Sequence, residues 1–124
     1  MSEQKIRGCN NEISSTFWGE DQATRDLATQ CRDEMGQKTG EPYSIGFWPG
    51  GGGANYVKPY FWVFQTFNCN KDQPSKFDDY IGDHNAVNAR ECATALNRVT
   101  KLNYEVVITS RFLFADIYTV VKAK

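Results

Sequence analysis

The first regular pattern of apolar and polar positions lies between residues 20 and 40. Apolar side chains recur at every fourth position, at Ala23, Leu27, Cys31 and Met35, and charged residues occupy the opposite face. This spacing is typical of an amphipathic helix. Two glycines near its end, at positions 36 and 40, predict where the helix stops.

Two aromatic segments follow, joined by a run of glycines. Pro42–Trp48 and Tyr56–Phe67 are rich in aromatic and β-branched residues, which favours strands. Pro59 lacks an amide donor and marks where regular pairing begins. The consecutive glycines 50–53 predict a mobile loop between the two strands. Both faces of the second strand are apolar, with Tyr60, Trp62, Phe64 and Thr66 on one and Phe61, Val63, Gln65 and Phe67 on the other.

The second half of the chain repeats this alternation of helical and strand patterns. Residues 68–82 are a polar connection, and Asp83 is the predicted N-cap of a helix from about His84 to Leu102. The segment Glu105–Val121 is enriched in β-branched and aromatic residues and is longer than a usual strand. It predicts either a hairpin that turns near Ser110–Arg111 or a strand followed by a closing helix from Ser110. The buried stripe of the helix is expected at Ala89, Cys92, Ala93, Leu96, Val99 and Leu102.

These elements predict a small α+β domain in the order α-β-β-α-β-β. We expect an antiparallel sheet of about four strands with both helices packed on one face. The 124 residues suit one domain, 1–124, and no internal repeat or linker is evident. Residues 1–15 are predicted to be either a loosely ordered arm or an edge strand around Lys5–Cys9.

Composition and charge exclude several classes of protein. Charged residues make up 23% of the chain and the net charge is −1, so nothing attracts a phosphate backbone and nucleic acid is not favoured. No window is apolar enough to span a membrane, and the first residues lack the apolar stretch of a secretory signal. We therefore expect a cytoplasmic protein without a membrane partner.

The four cysteines are widely spaced and contain no C-x-x-C pair. This argues against a zinc site and against thioredoxin-type redox chemistry. In a reducing compartment we expect four buried thiols. The even count also permits two disulfides, in three possible connectivities.

Aromatic residues around the glycine run are the predicted contact surface. Trp and Tyr are enriched at binding hot spots, and the second strand carries more apolar surface than one helix layer covers. The sequence therefore predicts a non-catalytic protein that binds another protein, as an inhibitor or adaptor. Many phage- and plasmid-encoded inhibitors of bacterial defence systems share this size class. A homodimer would also cover the exposed sheet face. The predicted contact residues are Phe47, Trp48, Gly51, Gly52, Asn55, Tyr56, Tyr60 and Trp62, with Arg111 as an outlier.

Two alternatives belong to other functional classes. In the first, the glycines form a lid over a small ligand such as a nucleotide or sugar. A phosphate-binding loop is excluded, because no Lys-Ser or Lys-Thr follows the last glycine and a strand comes next instead of a helix. In the second, Asp78, Asp79, Asp83 and His84 form the metal site of an enzyme. The leading interpretation predicts no cofactor and no metal.

Overall fold

A computed structural model describes Cys9, residues 15–81 and residues 84–123 of the chain. The contacts divide the chain into two compact units, Met1–Gln65 and Thr66–Lys124. Of the predicted edge strand at Lys5–Cys9 only Cys9 is among the described residues, and the predicted N-cap Asp83 lies outside them. None of the described helices has the length and apolar character needed to cross a membrane.

The first unit places one helix against a three-stranded antiparallel sheet. Its elements are β1 (Ser15–Trp18), α1 (Gln22–Thr39), β2 (Tyr43–Trp48) and β3 (Tyr60–Gln65), and the strand order is β1-β3-β2. Helix α1 contacts all three strands. The core between helix and sheet contains Cys9, Phe17, Ala28, Cys31, Met35, Tyr43, Phe61 and Val63.

Helix α1 begins and ends close to the predicted positions, but its buried face is rotated. Ala28, Cys31 and Met35 are buried, whereas Leu27 is exposed and Ala23 is exposed as well. A spacing of four residues drifts by about 40° per step on a helix with 3.6 residues per turn. Over three steps the predicted stripe therefore turns away from the sheet, and only its last two members face the core.

The second unit repeats the arrangement of one helix on three antiparallel strands. Its elements are β4 (Ser75–Phe77), α2 (His84–Thr100), β5 (Tyr104–Arg111) and β6 (Phe114–Lys122), and the strand order is β4-β6-β5. Its core contains Cys69, Phe77, Ala89, Cys92, Ala93, Leu96, Tyr104 and Val120.

Strands β5 and β6 form the hairpin that the sequence predicted for the last segment. The turn lies at Phe112 and Leu113, immediately after the predicted position at Ser110–Arg111. The alternative of a closing helix is wrong. Leu113, Ile117 and Val121 do share a period of four, but Ile117 and Val121 pair with β5 in a regular ladder.

The two units share their topology and their register. Ser15 pairs with Val63 in the first sheet, and Ser75 pairs with Val120 in the second. On the opposite edge of the central strand, Val63 pairs with Ile45 in the first sheet, and Val120 pairs with Val106 in the second. Corresponding residues are offset by 60 positions in the first strands, 61 in the second strands and 57 in the third. The chain therefore contains a structural repeat, which the sequence interpretation missed.

The helix ends repeat in the same way. The Thr39 hydroxyl donates to the carbonyl of Met35, and the Thr100 hydroxyl donates to that of Leu96. The next residue in each unit, Gly40 or Lys101, has a left-handed backbone with φ of 74° or 63°. The correspondence thus extends from the sheets to the caps.

The predicted fold class is right at the level of a small α+β protein and wrong in its details. The observed order is β-α-β-β-β-α-β-β, because β1 and β4 were not predicted. Two three-stranded sheets replace the single sheet of about four strands. Each helix packs on its own sheet. The expectation of one domain for residues 1–124 stays a prediction, which an unfolding experiment described below tests.

The cysteines form two disulfides, so the prediction of four free thiols is wrong. Cys9 bonds to Cys31, and Cys69 bonds to Cys92, with Cα atoms 5.6 and 5.5 Å apart. Each bond joins the segment before the first strand of a unit to the middle of that unit's helix. The helical cysteines are fully buried, as the apolar stripes predicted.

Asp21 caps α1, and its removal is expected to lower the melting temperature. Its side chain accepts hydrogen bonds from the hydroxyl and the backbone N–H of Thr24, and these bonds lower the pKa of Asp21 below its usual 3.8. A lowered pKa adds stability that is complete above about pH 3.8 and is lost as the pH falls through the folded-state pKa. We expect Asp21→Ala to melt earlier at neutral pH and Asp21→Asn to retain most of the cap.

Thermal unfolding followed by circular dichroism, at neutral pH and in strong acid, measures this effect. Asp21→Asn is the matched control, because its amide oxygen still accepts from Thr24 but does not titrate. If Asp21→Asn loses as much stability in acid as the natural chain, another group accounts for the acid sensitivity.

Candidate functional site

The outer face of the first sheet, opposite α1, is covered by aromatic side chains. Residues alternate in direction along a strand, so the neighbours of the buried Phe17, Phe61 and Val63 point away from the helix. Trp18 and Trp48 flank Tyr60 in one row across the three strands. We call this surface the aromatic face, and it consists of Trp18, Trp48, Tyr60, Trp62 and Phe64.

The rings of the aromatic face contact one another at tilted angles. Tyr60 lies 4.9 Å from Trp18 and 5.7 Å from Trp62, measured between ring centroids, and Phe64 lies 5.9 Å from Trp62. Interplanar angles of 31° to 53° leave the edges of some rings and the faces of others toward solvent. Trp18 is 59% and Trp48 40% exposed. Both ends of the row therefore remain accessible to solvent.

Gly46 provides the space in which Trp62 lies. The two residues are paired across β2 and β3, and a Cβ atom at position 46 would collide with the benzene ring of the Trp62 indole. The indole thus extends over the neighbouring strand instead of standing upright on its own. Only glycine permits this close approach, which the sequence alone did not reveal.

The aromatic face carries no charge. β1, β2 and β3 contain no Asp, Glu, Lys, Arg or His, and the polar residues on this side of the sheet are Thr16, paired with Trp62, and Ser44, paired with Phe64. Among the described residues, no hydrogen bond uses the indole N–H groups of Trp18, Trp48 and Trp62 or the hydroxyl of Tyr60. The face therefore combines apolar area with donors that remain free for a ligand.

The second unit shows what the fold requires at the same positions. The register places Thr119 where the first unit has Trp62, and Ile117 where it has Tyr60. Val107 corresponds to Gly46. The five aromatic residues correspond to Asp78, Thr109, Ile117, Thr119 and Val121. The same topology thus forms without a single aromatic residue at these positions, and folding alone does not account for them.

The glycine loop is closed by its own backbone hydrogen bonds. The N–H of Gly51 donates to the carbonyl of Val57 at 3.0 Å, and the N–H of Val57 donates back at 2.8 Å. Inside this pair, Gly53–Asn55 form a single 3-10 turn. All four glycines have positive φ, between 59° and 124°, which other residues adopt only with strain. Backbone conformation therefore accounts for the glycines, and the mobility of the loop stays a prediction.

The structure brings together only part of the predicted site. Trp48, Tyr60 and Trp62 share the aromatic face, whereas Phe47 lies on the helix side of the sheet, where its ring is 4.6 Å from that of Phe61. The other predicted loop members, Gly51, Gly52, Asn55 and Tyr56, lie in the turn, and Tyr56 is 62% exposed.

Arg111 has a structural role in the second unit. Its guanidinium group donates to the backbone carbonyls of Asp79 and Ala115, both at 2.7 Å, and lies 4.7 Å from the centre of the Tyr80 ring. These contacts tie the base of the β5–β6 turn to the segment before α2. The predicted contribution of Arg111 to binding has no support from this geometry.

Trp18 and Phe64 are members of the aromatic face that the sequence interpretation left out. Phe64 was assigned to the correct face of its strand but not to the site. Trp18 was missed because β1 was not predicted. The one available signal was the short run Ser15–Trp18, in which Phe17 and Trp18 point to opposite faces when the segment forms a strand.

The small-ligand alternative requires a cavity beneath the glycine loop. One open concavity of about 230 Å³ is found in the first unit, near the start of α1. Ligand cavities usually measure about 300–1,000 Å³. No glycine of the loop lines the concavity, whose walls are formed by Glu20, Asp21, Gln22, Arg25, Phe47 and Phe61.

The residues proposed for a metal site are partly engaged with one another. His84 Nε2 lies 2.6 Å from a carboxylate oxygen of Asp79, and Asp78 pairs with Lys76 at 3.9 Å. Within the described part of the chain, no three His, Cys, Asp or Glu side chains are grouped as metal ligands would be. Asp83 lies outside the described residues.

A second exposed apolar surface lies at the turn of the β5–β6 hairpin. Phe112 is 86% and Leu113 81% exposed, and the Tyr80 ring packs edge-on against Phe114. These side chains carry fewer hydrogen-bond donors than the aromatic face does. They provide a matched control surface on the same chain.

Comparisons with known proteins give no information about the function of this chain. The chain matches no family model, no curated protein and no solved structure.

Proposed function

We propose that the chain is a binding protein that holds a protein partner on the aromatic face of its first unit. The observation that carries this proposal is the difference between the two repeats. Where the first unit has three tryptophans, a tyrosine and a phenylalanine, the second has two Thr, one Ile and one Val on its strands and Asp78 just beyond β4. Side chains that the fold does not need, and that leave apolar area exposed, are typical of an interaction surface.

The chemistry of the face supports a protein partner. Trp and Tyr provide a large contact area with few rotatable bonds, and they are the residues most enriched among binding hot spots. Nucleic acid is disfavoured, because no cation lies on the three strands to contact a phosphate. The concavity near α1 gives no support to a small ligand under a glycine lid, because it is small and lies away from the glycines. The proposal involves no catalytic step and no cofactor.

We further propose that the protein works in an oxidising environment. The sequence predicted free thiols because a reducing compartment was expected, and the two disulfides weigh against that compartment. A disulfide in each unit is typical of small proteins from secretory, periplasmic or extracellular locations. An inhibitor or adaptor function at such a location fits the proposal better than one inside a reducing cell.

Exchange of the aromatic face for the residues of the second unit tests the proposed function. The variant carries Trp18→Asp, Trp48→Thr, Tyr60→Ile and Trp62→Thr together, and we expect it to fold with a melting temperature within a few degrees of the natural chain. Cross-linking and native mass spectrometry of protein from its producing cells are expected to recover a partner with the natural chain and not with this variant. Phe112→Ser is the control that leaves the aromatic face intact and retains the partner.

Three outcomes would contradict the proposal. The first is a loss of stability as large as a core substitution causes, because the aromatic side chains would then hold the fold. The second is a variant that still captures the same partner. The third is a bound mass only a few hundred daltons above the 14.1 kDa chain, which would favour the small-ligand alternative.

A further inference from the structure

We infer that the ligand of the aromatic face is a proline-rich peptide segment in the polyproline II conformation, lying across the strands along the row Trp18–Tyr60–Trp48. This inference rests on the proposed function and specifies the partner's contact segment. Four properties of the face support it: its size, the spacing of its tryptophans, its free donors and its lack of charge.

The face is too small for a globular partner or a second copy of the chain. Three strands span about 14 Å and the stretch from Tyr60 to Phe64 about 13 Å, so the projected area is roughly 200 Å². A stable protein interface buries about 800 Å² per partner. Side chains that project from the sheet increase the accessible area above the projected area. Even if they double it, the face provides about half of the area of a stable interface. An extended segment a few residues long matches it better.

The spacing of the tryptophans matches one turn of polyproline II helix. Trp18 and Trp48 lie on β1 and β2, the two neighbours of β3, so their positions are separated by two interstrand distances, or about 9.6 Å. One turn of polyproline II contains three residues and advances about 9.3 Å. Prolines at positions i and i+3 of such a segment would therefore meet the two indoles, with Tyr60 between them.

The tilted rings and free donors suit such a segment. A polyproline II helix has no internal hydrogen bonds, so its carbonyl groups remain available as acceptors. The indole N–H groups of Trp18 and Trp48 and the Tyr60 hydroxyl are donors without an acceptor among the described residues. Rings that contact one another at 53° and 51° form a stepped apolar surface against which a proline ring can pack. Aromatic-lined grooves are the usual site for proline-rich segments.

The absence of charge favours a neutral ligand over the alternatives. An acidic or phosphorylated peptide needs Arg or Lys, and a basic peptide needs Asp or Glu, and the three strands contain neither. A proline-rich segment is bound through ring contacts and hydrogen bonds to its carbonyl groups. It also loses little conformational entropy on binding, because its conformation is already formed.

Fluorescence anisotropy of a fluorescein-labelled decaproline peptide tests the inference on the oxidised, full-length chain. We expect saturable binding by the natural protein and none to a labelled glycine–serine peptide of the same length. Trp48→Thr, the exchange to the residue of the second unit, is expected to weaken binding about thirty-fold, as truncation of a hot-spot residue does. Phe112→Ser is expected to bind like the natural chain. In an alanine-based peptide, two prolines at i and i+3 are expected to bind more tightly than two at i and i+2.

Several results would overturn the inference. These are no saturable binding of decaproline, equal binding by Trp48→Thr, or no preference between the two proline spacings. A chain that sediments as a dimer until Trp48→Thr is introduced would assign the face to a second copy. If decaproline fails but the four-site variant loses a cross-linked partner, the inference is wrong and the proposed function stands. If that variant keeps its partner, the proposed function itself fails.

Discussion

Reduction of the two disulfides is expected to destabilise the protein by about 3 kcal/mol for each bond. Each bond closes a loop with a sequence separation of 22 or 23 residues, and the chain-entropy model gives about that stabilisation for a loop of this size. Each unit is only about 60 residues long, so its core supplies little excess stability. We expect dithiothreitol to lower the melting temperature by roughly 10–25 °C or to prevent folding at body temperature.

Paired cysteine substitutions separate the two bonds. Cys69→Ala with Cys92→Ala removes only the bond of the second unit, and Cys9→Ala with Cys31→Ala only that of the first. Denaturant unfolding measures the change in the free energy of unfolding, and each pair serves as the control for the other. A loss well below 1 kcal/mol for both pairs would contradict the predicted role of the disulfides.

The same variants test whether the two units unfold as one domain. All three tryptophans lie in the first unit, so their fluorescence follows that unit, whereas circular dichroism follows both helices. For the Cys69→Ala/Cys92→Ala pair, coincident transitions would support the single domain that the sequence predicted. If the fluorescence transition stays in place while the dichroism signal splits, the units unfold separately.

The elements with long, regular patterns were predictable from sequence, and the short ones were not. α2 was placed within about two residues at its end, because a buried stripe over 17 residues gives a strong periodic signal. β4 has three residues and β1 four, which is too short for alternation to be distinguished from chance. Missing these two strands turned two sheets into one in the predicted fold.

The repeat was hidden for a physical reason of its own. The hairpin loop of the first unit is four residues longer than the corresponding stretch of the second, so the offset falls from 61 to 57 between the second and third strands. Six of the eight core residues of the first unit have an identical counterpart in the second, but these identities are spread over offsets of 60, 61 and 57. A comparison at one fixed offset therefore finds few identities.

The candidate site was predictable where strand alternation was used and not where it was ignored. Tyr60 and Trp62 belong to one face by their spacing alone, and the structure places them there. Phe47 and Trp48 are adjacent in a strand, so they point to opposite faces of the sheet, and strand alternation would have separated them. The spacing of the four cysteines could not predict their pairing, because it allowed three connectivities.

Gly46→Val is expected to destabilise the protein by about 1–3 kcal/mol, the usual cost of overpacking. The new side chain would occupy the space of the Trp62 benzene ring, so the indole would have to move away from β2. We expect a shift in tryptophan emission toward that of a solvated indole, and weaker binding of the partner at the aromatic face. Denaturant unfolding and emission spectra measure the two effects.

The second unit supplies the partner substitution for a double-mutant cycle. Val107 there is paired with Thr119, as Gly46 is with Trp62, so Gly46→Val combined with Trp62→Thr recreates a pair that the same topology already accommodates. We expect the double variant to be more stable than the sum of the single variants predicts, by at least about 1 kcal/mol. Additive effects would mean that Gly46 is not retained for Trp62. A clear coupling would indicate that Gly46 leaves the space on β2 in which the Trp62 indole packs. This arrangement distinguishes the first unit from the second, which has Val107 and Thr119 at the same positions.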